Sequence, residues 1–399
     1  MYCHAAGLIV FAFANRDKLT WENISNWWTY DVLGNAGHGY PVDIIGSEVS
    51  SGNFAVPQGH AVYASDTSFV TLTNSGTEVA RLQLTHSNPV MKNNENRFLT
   101  YGIGSSSYEI SSFDETLYSG NAENKIYTGD VASNGTYCLV TEDNGYLTTL
   151  YAYSKNNNRI YKYSFSEYYI TSVAINKDGS GCVATGVSSD KGSAVTGVYV
   201  LDFSQEKPVS TYKISGDSVL DCKYLTSDTA VLVGSQASYI VKKGEKNYKT
   251  VSYEDKTLSN YCFNTDTSTY TMALSRSGDG RSVALISYNS NGEAQYTINT
   301  EHKADSLSVY KGTVAILDGN VVYGYNQNGD LLYSTNSGTG SKKIVLASDY
   351  TAYILSVNQI RFIDLDSVSS DDTLKLQNRS NKFGCRYNYY CRVCAFVFY

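Results

Sequence analysis

A short strand–turn–strand unit recurs along this chain of 399 residues and limits what it can fold into. The stretches "VASNGTYCLVTEDNG" (residues 131–145) and "VAINKDGSGCVATG" (residues 173–186) share the pattern, and looser versions occur elsewhere. Turn pairs such as Asn134-Gly135 and Asp178-Gly179 supply the positive φ angles that tight hairpins need. Each unit is roughly forty residues long, enough for one four-stranded sheet and too short for an independent domain.

These units follow one another without interruption through most of the chain. Their opening strands begin near eight positions: Asn53, Pro89, Ile126, Ile170, Val219, Tyr261, Ser306 and Lys343. A single four-stranded sheet exposes both apolar faces and its edges to water, so it must stack on its neighbours in a ring. We therefore predict an all-β fold, a single β-propeller of eight four-stranded blades. Seven blades remain an alternative if an irregular unit at 85–119 or 252–298 is misassigned.

The last unit has room for only three strands before the pattern ends. The segment "YPVDII", residues 40–45, has strand character and precedes the first complete unit. We predict that this segment supplies the missing strand of the final blade and closes the ring, which leaves no sheet edge unpaired. The propeller would then span residues 40–370.

Composition agrees with this fold and argues against one class of partner. The chain has 36 Tyr and 32 Gly but only 4 Pro, which suits pleated surfaces joined by tight turns. Its net charge is -7 and no basic stripe occurs, so nucleic acid is not an expected partner. Four cysteines lie in apolar strand contexts, and we interpret them as reduced core residues, with disulfides between blades as the alternative: Cys138, Cys182, Cys222 and Cys262.

The N-terminal region contains an apolar run, Ala5 to Ala14, that ends at the charged residues Arg16, Asp17 and Lys18. A helical bilayer span needs about 20 residues, so this run cannot cross a membrane as it stands. We interpret residues 1–18 as the remnant of a truncated membrane anchor, with a buried strand or helix as the alternative.

Residues 19–39 are predicted to form a short amphipathic helix and a linker. Apolar residues recur there at helical spacing: Trp21, Ile24, Trp27 and Trp28. This apolar face would either pack on the main body or lie at a membrane interface.

The tail, residues 371–399, abandons the turn spacing and gains Cys385, Cys391 and Cys394. Three thiolates are too few to complete a zinc site without a further ligand. We interpret the tail as irregular, either disordered or non-native.

Motifs for catalysis and for cofactor binding are missing from the sequence. No G-x-S-x-G or H-E-x-x-H occurs, and the 5 His are scattered without metal-ligand spacing. All 3 Trp precede Tyr30, so the predicted blades lack the tryptophans that could stack on a quinone cofactor. We expect no cofactor, no metal and no catalytic residues.

One set of residues is a candidate binding site. A propeller gathers the residues just before its inner strands around one mouth of the central channel, and here these include Glu123, Glu167, Tyr168, Asp217 and Asp305. Crowded carboxylates attract cations or basic peptides, so we predict that these five residues form a site at the funnel mouth. The alternative is that each carboxylate caps its own turn and stays solvated.

Three stretches carry a resemblance to a known family: "YSFSEYYITSVAINKDGSGCVATGVSS", "ENKIYTGDVASNGTYCLVTEDNGYLTTLYAYS" and "VYVLDFSQEKPVSTYKI". They resemble a bacterial family of uncharacterised, membrane-anchored β-propeller proteins, classed as a domain of unknown function. The sheets of that family look similar to those of quinoprotein-like and WD40-like propellers. The resemblance runs from about Arg16 to Ser370. It implies that one transmembrane helix near the N-terminus holds the propeller outside the cytoplasm, and it implies no activity.

We therefore expect a non-enzymatic binding or scaffold propeller outside the cell membrane, one that binds a protein, peptide or glycan of the cell envelope through a loop face. The alternative is a glycosidase-like propeller enzyme that uses acidic residues at the central funnel. Two carboxylates within about 10 Å of each other in one pocket would favour that enzyme. A third hypothesis is that the ring only senses or spaces within an envelope assembly.

Overall fold

The structure is a computed structural model that describes residues 38–365, except residues 277 and 279. The predicted anchor remnant (1–18), all but the last two residues of the predicted helical segment (19–39) and the tail (371–399) lie outside the described residues. Across the described range, no helix reaches the length and apolar character that a bilayer span requires.

The described residues contain 32 strands, arranged as eight four-stranded antiparallel sheets. Blades 1 and 2 are β2 (Phe54–Ala55), β3 (Ala61–Ala64), β4 (Ser68–Leu72), β5 (Glu78–Gln83), β6 (Pro89–Asn94), β7 (Arg97–Gly102), β8 (Ser107–Ser111) and β9 (Thr116–Asn121). Blades 3 and 4 are β10 (Ile126–Val131), β11 (Tyr137–Thr141), β12 (Thr148–Tyr153), β13 (Arg159–Phe165), β14 (Tyr169–Ile175), β15 (Gly181–Asp190), β16 (Ser193–Asp202) and β17 (Ser210–Ser215). Blades 5 and 6 are β18 (Val219–Tyr224), β19 (Thr229–Gly234), β20 (Ala237–Lys242), β21 (Lys249–Ser252), β22 (Thr257–Asn264), β23 (Thr269–Ser275), β24 (Val283–Asn289) and β25 (Ala294–Thr300). Blades 7 and 8 are β26 (Ser306–Tyr310), β27 (Thr313–Asp318), β28 (Val321–Tyr325), β29 (Leu331–Asn336), β30 (Ser341–Leu346), β31 (Thr351–Ser356), β32 (Gln359–Asp364) and β1 (Val42–Asp43).

The predicted eight-bladed propeller is confirmed, and the seven-bladed alternative is wrong. The units at 85–119 and 252–298, which the sequence leaves ambiguous, form complete sheets of four strands. Hairpin turns also lie where the sequence predicts them, with φ angles of 86° at Gly135 and 72° at Gly179. Glycine adopts this left-handed conformation without the steric cost that a Cβ would add.

Strands in each blade are named A to D, in order from the centre of the ring outwards. The A strands of neighbouring blades contact one another, as β10 does with β14, and so line a central channel. The face at which the A strands begin carries the D–A loops, which join consecutive blades, together with the B–C loops. We call it the D–A face. The opposite face carries the A–B and C–D loops, and we call it the A–B face.

Apolar side chains fill the seams between blades rather than the interior of any one blade. In the part of the chain that the structure describes, eight clusters of buried apolar side chains occur, and each joins two consecutive blades. Middle strands such as β11 are buried along their whole length, whereas outer strands such as β9 alternate between half-buried and exposed residues. Each blade therefore depends on its neighbours for a core.

Cysteines take part in these seams as free thiols. Cys138 and Cys182 are the second residues of β11 and β15 and pack in the same cluster between blades 3 and 4. Burial raises the pKa of both thiols, and it raises the pKa of the Cys222 thiol to about 12. The prediction of reduced core cysteines is confirmed for these three, whereas Cys262 is a free thiol that is only partly buried.

The early segment at 40–45 closes the ring as predicted. Strand β1 pairs antiparallel with β32, with Val42 opposite Ile360, and becomes the outermost strand of blade 8. Tyr40 stacks on Phe362 of blade 8 at a ring-centroid distance of 6.1 Å. Its hydroxyl donates a hydrogen bond to the Thr73 carbonyl of blade 1 (2.9 Å). The segment therefore bridges the first and last blades.

Two lysines at the start of β30 hold the same seam from inside the ring. The Lys342 ammonium donates to Glu48 Oε1 (2.6 Å), and the Lys343 ammonium donates to the carbonyl oxygens of Ser51 (2.8 Å) and Phe54 (2.7 Å). Lys343 is half-buried within the ring, and this partial loss of hydration lowers its pKa to about 8. The cation is retained because two carbonyl dipoles replace part of its hydration shell.

Replacing Lys343 by Met tests this arrangement through the pH dependence of stability. Because the pKa of Lys343 is about 8 in the folded protein and 10.5 in the unfolded chain, the unfolded chain binds more protons between these values. The free energy of unfolding of the wild type, relative to Lys343→Met, should rise across that window by up to about 1.4 kcal/mol per pH unit. Urea denaturation from about pH 7.5 to 9.5 measures the difference. A difference that stays constant would contradict the burial of this ammonium.

Candidate functional site

All five residues predicted for the funnel mouth lie in D–A loops, on the D–A face. Glu123 follows β9, Glu167 and Tyr168 follow β13, Asp217 follows β17, and Asp305 follows β25. The structure therefore gives them a common face, but it spreads them over four different seams of the ring. Their surroundings differ, and so do the roles that each side chain can have.

Asp217 has a structural role. It is only 3% exposed. The N–H groups of Ser218 (2.7 Å) and Ser235 (2.9 Å) donate to Oδ1, and the Ala237 N–H (3.2 Å) and the Tyr239 hydroxyl (2.9 Å) donate to Oδ2. This carboxylate therefore holds the B–C loop of blade 5 against the preceding D–A loop. With both oxygens engaged, it is poorly placed to bind a ligand.

Tyr168 and Asp305 also support the local fold. The Tyr168 ring contacts Tyr199 edge-on at 6.1 Å and lies over Gly197, where an added Cβ would come within 2.5 Å of the ring. The N–H of Gly319 donates to Asp305 Oδ2 (2.9 Å), although the Asp305 side chain is exposed. Asp217 and Asp305 both accept hydrogen bonds from the B–C loop of the blade that follows them, at residues 235–237 and at Gly319. These contacts differ from the alternative considered for the predicted site, in which each carboxylate caps its own turn and stays solvated, because Asp217 is buried.

Glu123 and Glu167 are exposed, and large tyrosines lie in the same sector of the D–A face, blades 3 and 4. Tyr127 is 36% exposed, Tyr146 is 51% exposed and Tyr169 is 54% exposed. We define the tyrosine–acid patch as six residues: Glu123, Tyr127, Glu142, Tyr146, Glu167 and Tyr169. Large exposed side chains clustered on one face are typical of interaction surfaces.

A β-bulge explains the exposure of Tyr127. The pairing of β10 with β11 shifts register between Ile126 and Thr128, so Tyr127 is an extra residue without a partner. A bulge re-aims the extra side chain. The same shift occurs at the start of four other A strands, β14, β18, β22 and β30, and in β18 it leaves Leu220 54% exposed.

Electrostatics in the patch favour a cationic partner. Partial burial raises the pKa of Tyr127, and the nearby Glu142 carboxylate and Tyr169 raise it further. Lys125 lies 3.9 Å from Glu142, with side chains 62% and 44% exposed, so this ion pair is solvated and weak. Lys213 interacts with Glu167, but its ammonium forms an ion pair with Asp190 (3.0 Å). Glu123, Glu142 and Glu167 are therefore only partly neutralised.

Sequence reasoning missed the three tyrosines because alternation alone assigns them to strands or turns. One signal was present in the sequence: consecutive large apolar residues interrupt the alternation at the start of several A strands, in Ile126-Tyr127, Tyr169-Ile170 and Val219-Leu220. In a strand with one buried face, one residue of such a pair must point outward.

A second feature, a funnel inside the ring, opens at the A–B face. It has a volume of about 1510 Å³ and is lined by the ends of A strands and by A–B loops. Its charged lining residues are Lys92, Glu95, Asp130, Lys177, Asp221, Lys223, Asp266 and Lys343. None of the five predicted site residues lines it, because they lie at the opposite ends of the A strands.

The fold defines the protein as an eight-bladed β-propeller. Residues 39–365 match a family of unknown function, DUF5711, and the chain belongs to that family. This match confirms the resemblance to a propeller family of unknown function, whereas membrane attachment stays a prediction. None of the curated proteins compared with the chain matches it.

Solved structures with similar folds are distant in sequence. A eukaryotic initiation factor matches with 10% sequence identity and a TM-score of 0.52, and the match covers 81% of this chain and 89% of that chain. Apo AztD from Citrobacter koseri matches with 9% sequence identity and a TM-score of 0.53, and the match covers 74% of this chain and 88% of that chain. The C-terminal WD40 domain of Sif2 matches with 13% sequence identity and a TM-score of 0.48, and the match covers 83% of this chain and 84% of that chain. At such identities the likeness shows the fold alone, and the last match carries no argument.

Alanine substitutions separate a structural role from a surface role among the predicted residues. Asp217→Ala leaves several buried donors without an acceptor, so we expect it to lower the free energy of unfolding by about 3 kcal/mol. Asp305→Ala removes one exposed contact and should cost less than about 1 kcal/mol. Chemical denaturation of both variants measures this contrast, and equal costs would contradict the assignment.

Proposed function

We propose that this protein is a non-enzymatic binding propeller of the cell envelope, displayed outside the cytoplasm, whose tyrosine–acid patch binds a basic segment of a partner protein. The observation that carries the proposal is the patch itself, in which exposed tyrosines and incompletely neutralised carboxylates lie together in one sector. Placement at the envelope rests on the family resemblance and on the apolar run at 5–14.

Tyrosine suits this role because it offers a large contact area at low entropic cost. Its ring has two rotatable side-chain bonds, and its hydroxyl adapts to polar partners. Tyr127 and Tyr169 lie on strands β10 and β14, which are packed into the ring, so their backbones are already ordered before binding. Preorganisation of this kind reduces the entropy lost on association.

The charge of the patch indicates the chemistry of the partner. Glu123, Glu142 and Glu167 favour lysine or arginine side chains, and an arginine placed over Tyr127 or Tyr169 would add a cation–π contact. Arginine is the better candidate because its planar group both stacks on rings and forms bidentate contacts with carboxylates. The partner segment is therefore expected to be arginine-containing and extended over the D–A face.

The contacts of the predicted carboxylates support binding over glycosidase-like chemistry on the D–A face. Such an enzyme needs two carboxyl groups that face one substrate. Asp217 instead accepts hydrogen bonds through both oxygens, and Asp305 accepts one from Gly319. Glu123 and Glu167 lie in loops at different seams of the ring.

Binding of a labelled octa-arginine peptide, followed by fluorescence anisotropy, tests the proposal. Tyr127→Ser/Tyr169→Ser and Glu123→Gln/Glu142→Gln/Glu167→Gln should each weaken binding at least tenfold, a loss of about 1.4 kcal/mol. The first removes the stacking surface and the second removes the charge. Octa-glutamate should not bind to the wild type.

Matched controls lie on the A–B face. Tyr350→Ser removes a tyrosine that is 45% exposed, and Asp114→Asn/Glu115→Gln/Glu245→Gln removes three exposed carboxylates. Both controls should bind within twofold of the wild type. Equal weakening in controls and patch variants would show attraction to net charge alone and would refute the proposed site. Binding of a glycan in place of the peptide would refute the proposed partner class.

A further inference from the structure

The funnel contains an arrangement of charges that the proposed function does not use. Five of its charged side chains lie on A strands: Lys92, Asp130, Asp221, Lys223 and Lys343. Three of them, Lys92 on β6, Asp130 on β10 and Asp221 on β18, come from blades 2, 3 and 5 and interact electrostatically across the funnel. Apolar lining residues lie around them, among them Met91, Ile175 and Phe263.

Lys92 presents unused donors inside the funnel. Burial lowers its pKa, but attraction to Asp221, Tyr101 and Asp130 raises the pKa by more, so the net shift is upward and the ammonium stays charged. Among the described residues, no acceptor forms a hydrogen bond with Lys92 Nζ, and no carboxylate oxygen lies within 4.0 Å of it. Its N–H groups are therefore available to a ligand.

The two carboxylates are held in fixed orientations. Asp130 is 4% exposed, and the Ile175 N–H donates to its Oδ2 (2.9 Å). The Cys222 N–H donates to Asp221 Oδ1 (2.9 Å), and the Tyr261 hydroxyl donates to Asp221 Oδ2 (3.2 Å). These contacts come from three neighbouring blades. With these contacts in place, neither carboxylate has an oxygen within 4.0 Å of Lys92 Nζ in the described structure.

We propose that the funnel binds a zwitterionic α-amino acid, with its carboxylate at Lys92, its ammonium at Asp221 and Asp130, and its side chain against the apolar wall. A simple anion attracted by Lys92 is repelled by both carboxylates. A simple cation is attracted by the carboxylates but repelled by Lys92. A molecule that carries both charges gains from both fixed groups. Water and salt screen charges less inside the ring than at the surface, so the attraction of each ligand charge to its protein partner is stronger there.

Size and metal chemistry agree with a small organic ligand. The funnel volume of about 1510 Å³ is larger than the roughly 300–1,000 Å³ of typical ligand pockets, so side chains of different lengths are expected to fit. No group of three or more His, Cys, Asp or Glu in the described part of the chain is arranged to hold a metal ion. The funnel also opens at the A–B face, away from the tyrosine–acid patch.

Isothermal titration calorimetry with three related compounds tests the proposal on the wild-type protein. L-Phenylalanine carries both charges, L-phenylalaninamide lacks the carboxylate, and N-acetyl-L-phenylalanine lacks the ammonium. The proposal predicts that phenylalanine binds at least tenfold tighter than either derivative. This comparison needs no variant, so it does not depend on the folding of a mutant.

Two variants then assign each ligand charge to its protein group. Lys92→Met should lower the affinity for phenylalanine at least tenfold. This variant should bind phenylalanine and phenylalaninamide with equal affinity, because the ligand carboxylate has lost its partner. Asp221→Asn should reduce the advantage of phenylalanine over the N-acetyl compound. Glu115→Gln, which changes an exposed carboxylate outside the funnel lining, serves as the control and should keep the wild-type order of affinities.

The proposal fails if phenylalanine, leucine and lysine all show no binding up to about 10 mM. It also fails if both derivatives bind as tightly as phenylalanine, or if a neutral disaccharide such as cellobiose binds tighter. Because octa-arginine binding depends on the opposite face, either proposal can fail without the other.

Discussion

The structure depends on the burial of the apolar faces of each blade by the next blade. Eight clusters of buried apolar side chains lie at eight seams of the described chain, and each cluster draws residues from two blades. A seam such as that between blades 3 and 4 contains fully buried residues from both sides, including Cys138 and Ala184. An isolated blade would expose these faces to water, so the ring forms as one unit.

This dependence makes the closure at blades 8 and 1 critical, because β1 has no C–D loop that joins it to β32 and is held in blade 8 by strand pairing. Two sets of contacts secure this closure. Strand β1 completes blade 8 from the outside, while Lys342 and Lys343 hold the first segment of blade 1 from the inside. The bulge that precedes Lys343 in β30 displaces the register there. The same type of bulge exposes Tyr127 in β10. Bulges at the start of A strands therefore occur both at the seam that closes the ring and at the tyrosine–acid patch.

Much of the fold could be predicted from the sequence because the blades repeat and because strand alternation and turn glycines are local signals. The predicted opening of blade 6 at Tyr261 misses the observed start at Thr257, since a bulge between Leu258 and Asn260 interrupts the alternation. The role of Asp217 could not be predicted, because the donors that bury it belong to the loop at residues 235–237, which approaches only in the folded ring. Convergence of Lys92 with Asp221 is likewise set by the ring, through residues of blades 2 and 5.

The central claim, that the early segment closes a ring of mutually dependent blades, is tested most directly by comparing two shortened proteins in chemical denaturation. One begins at His38 and keeps β1, and the other begins at Ser47 and lacks it. The account predicts that the second protein loses at least about 3 kcal/mol of stability, with faster amide hydrogen exchange in blades 8 and 1 than in blade 4. Equal stability and unchanged exchange in blades 8 and 1 would contradict it.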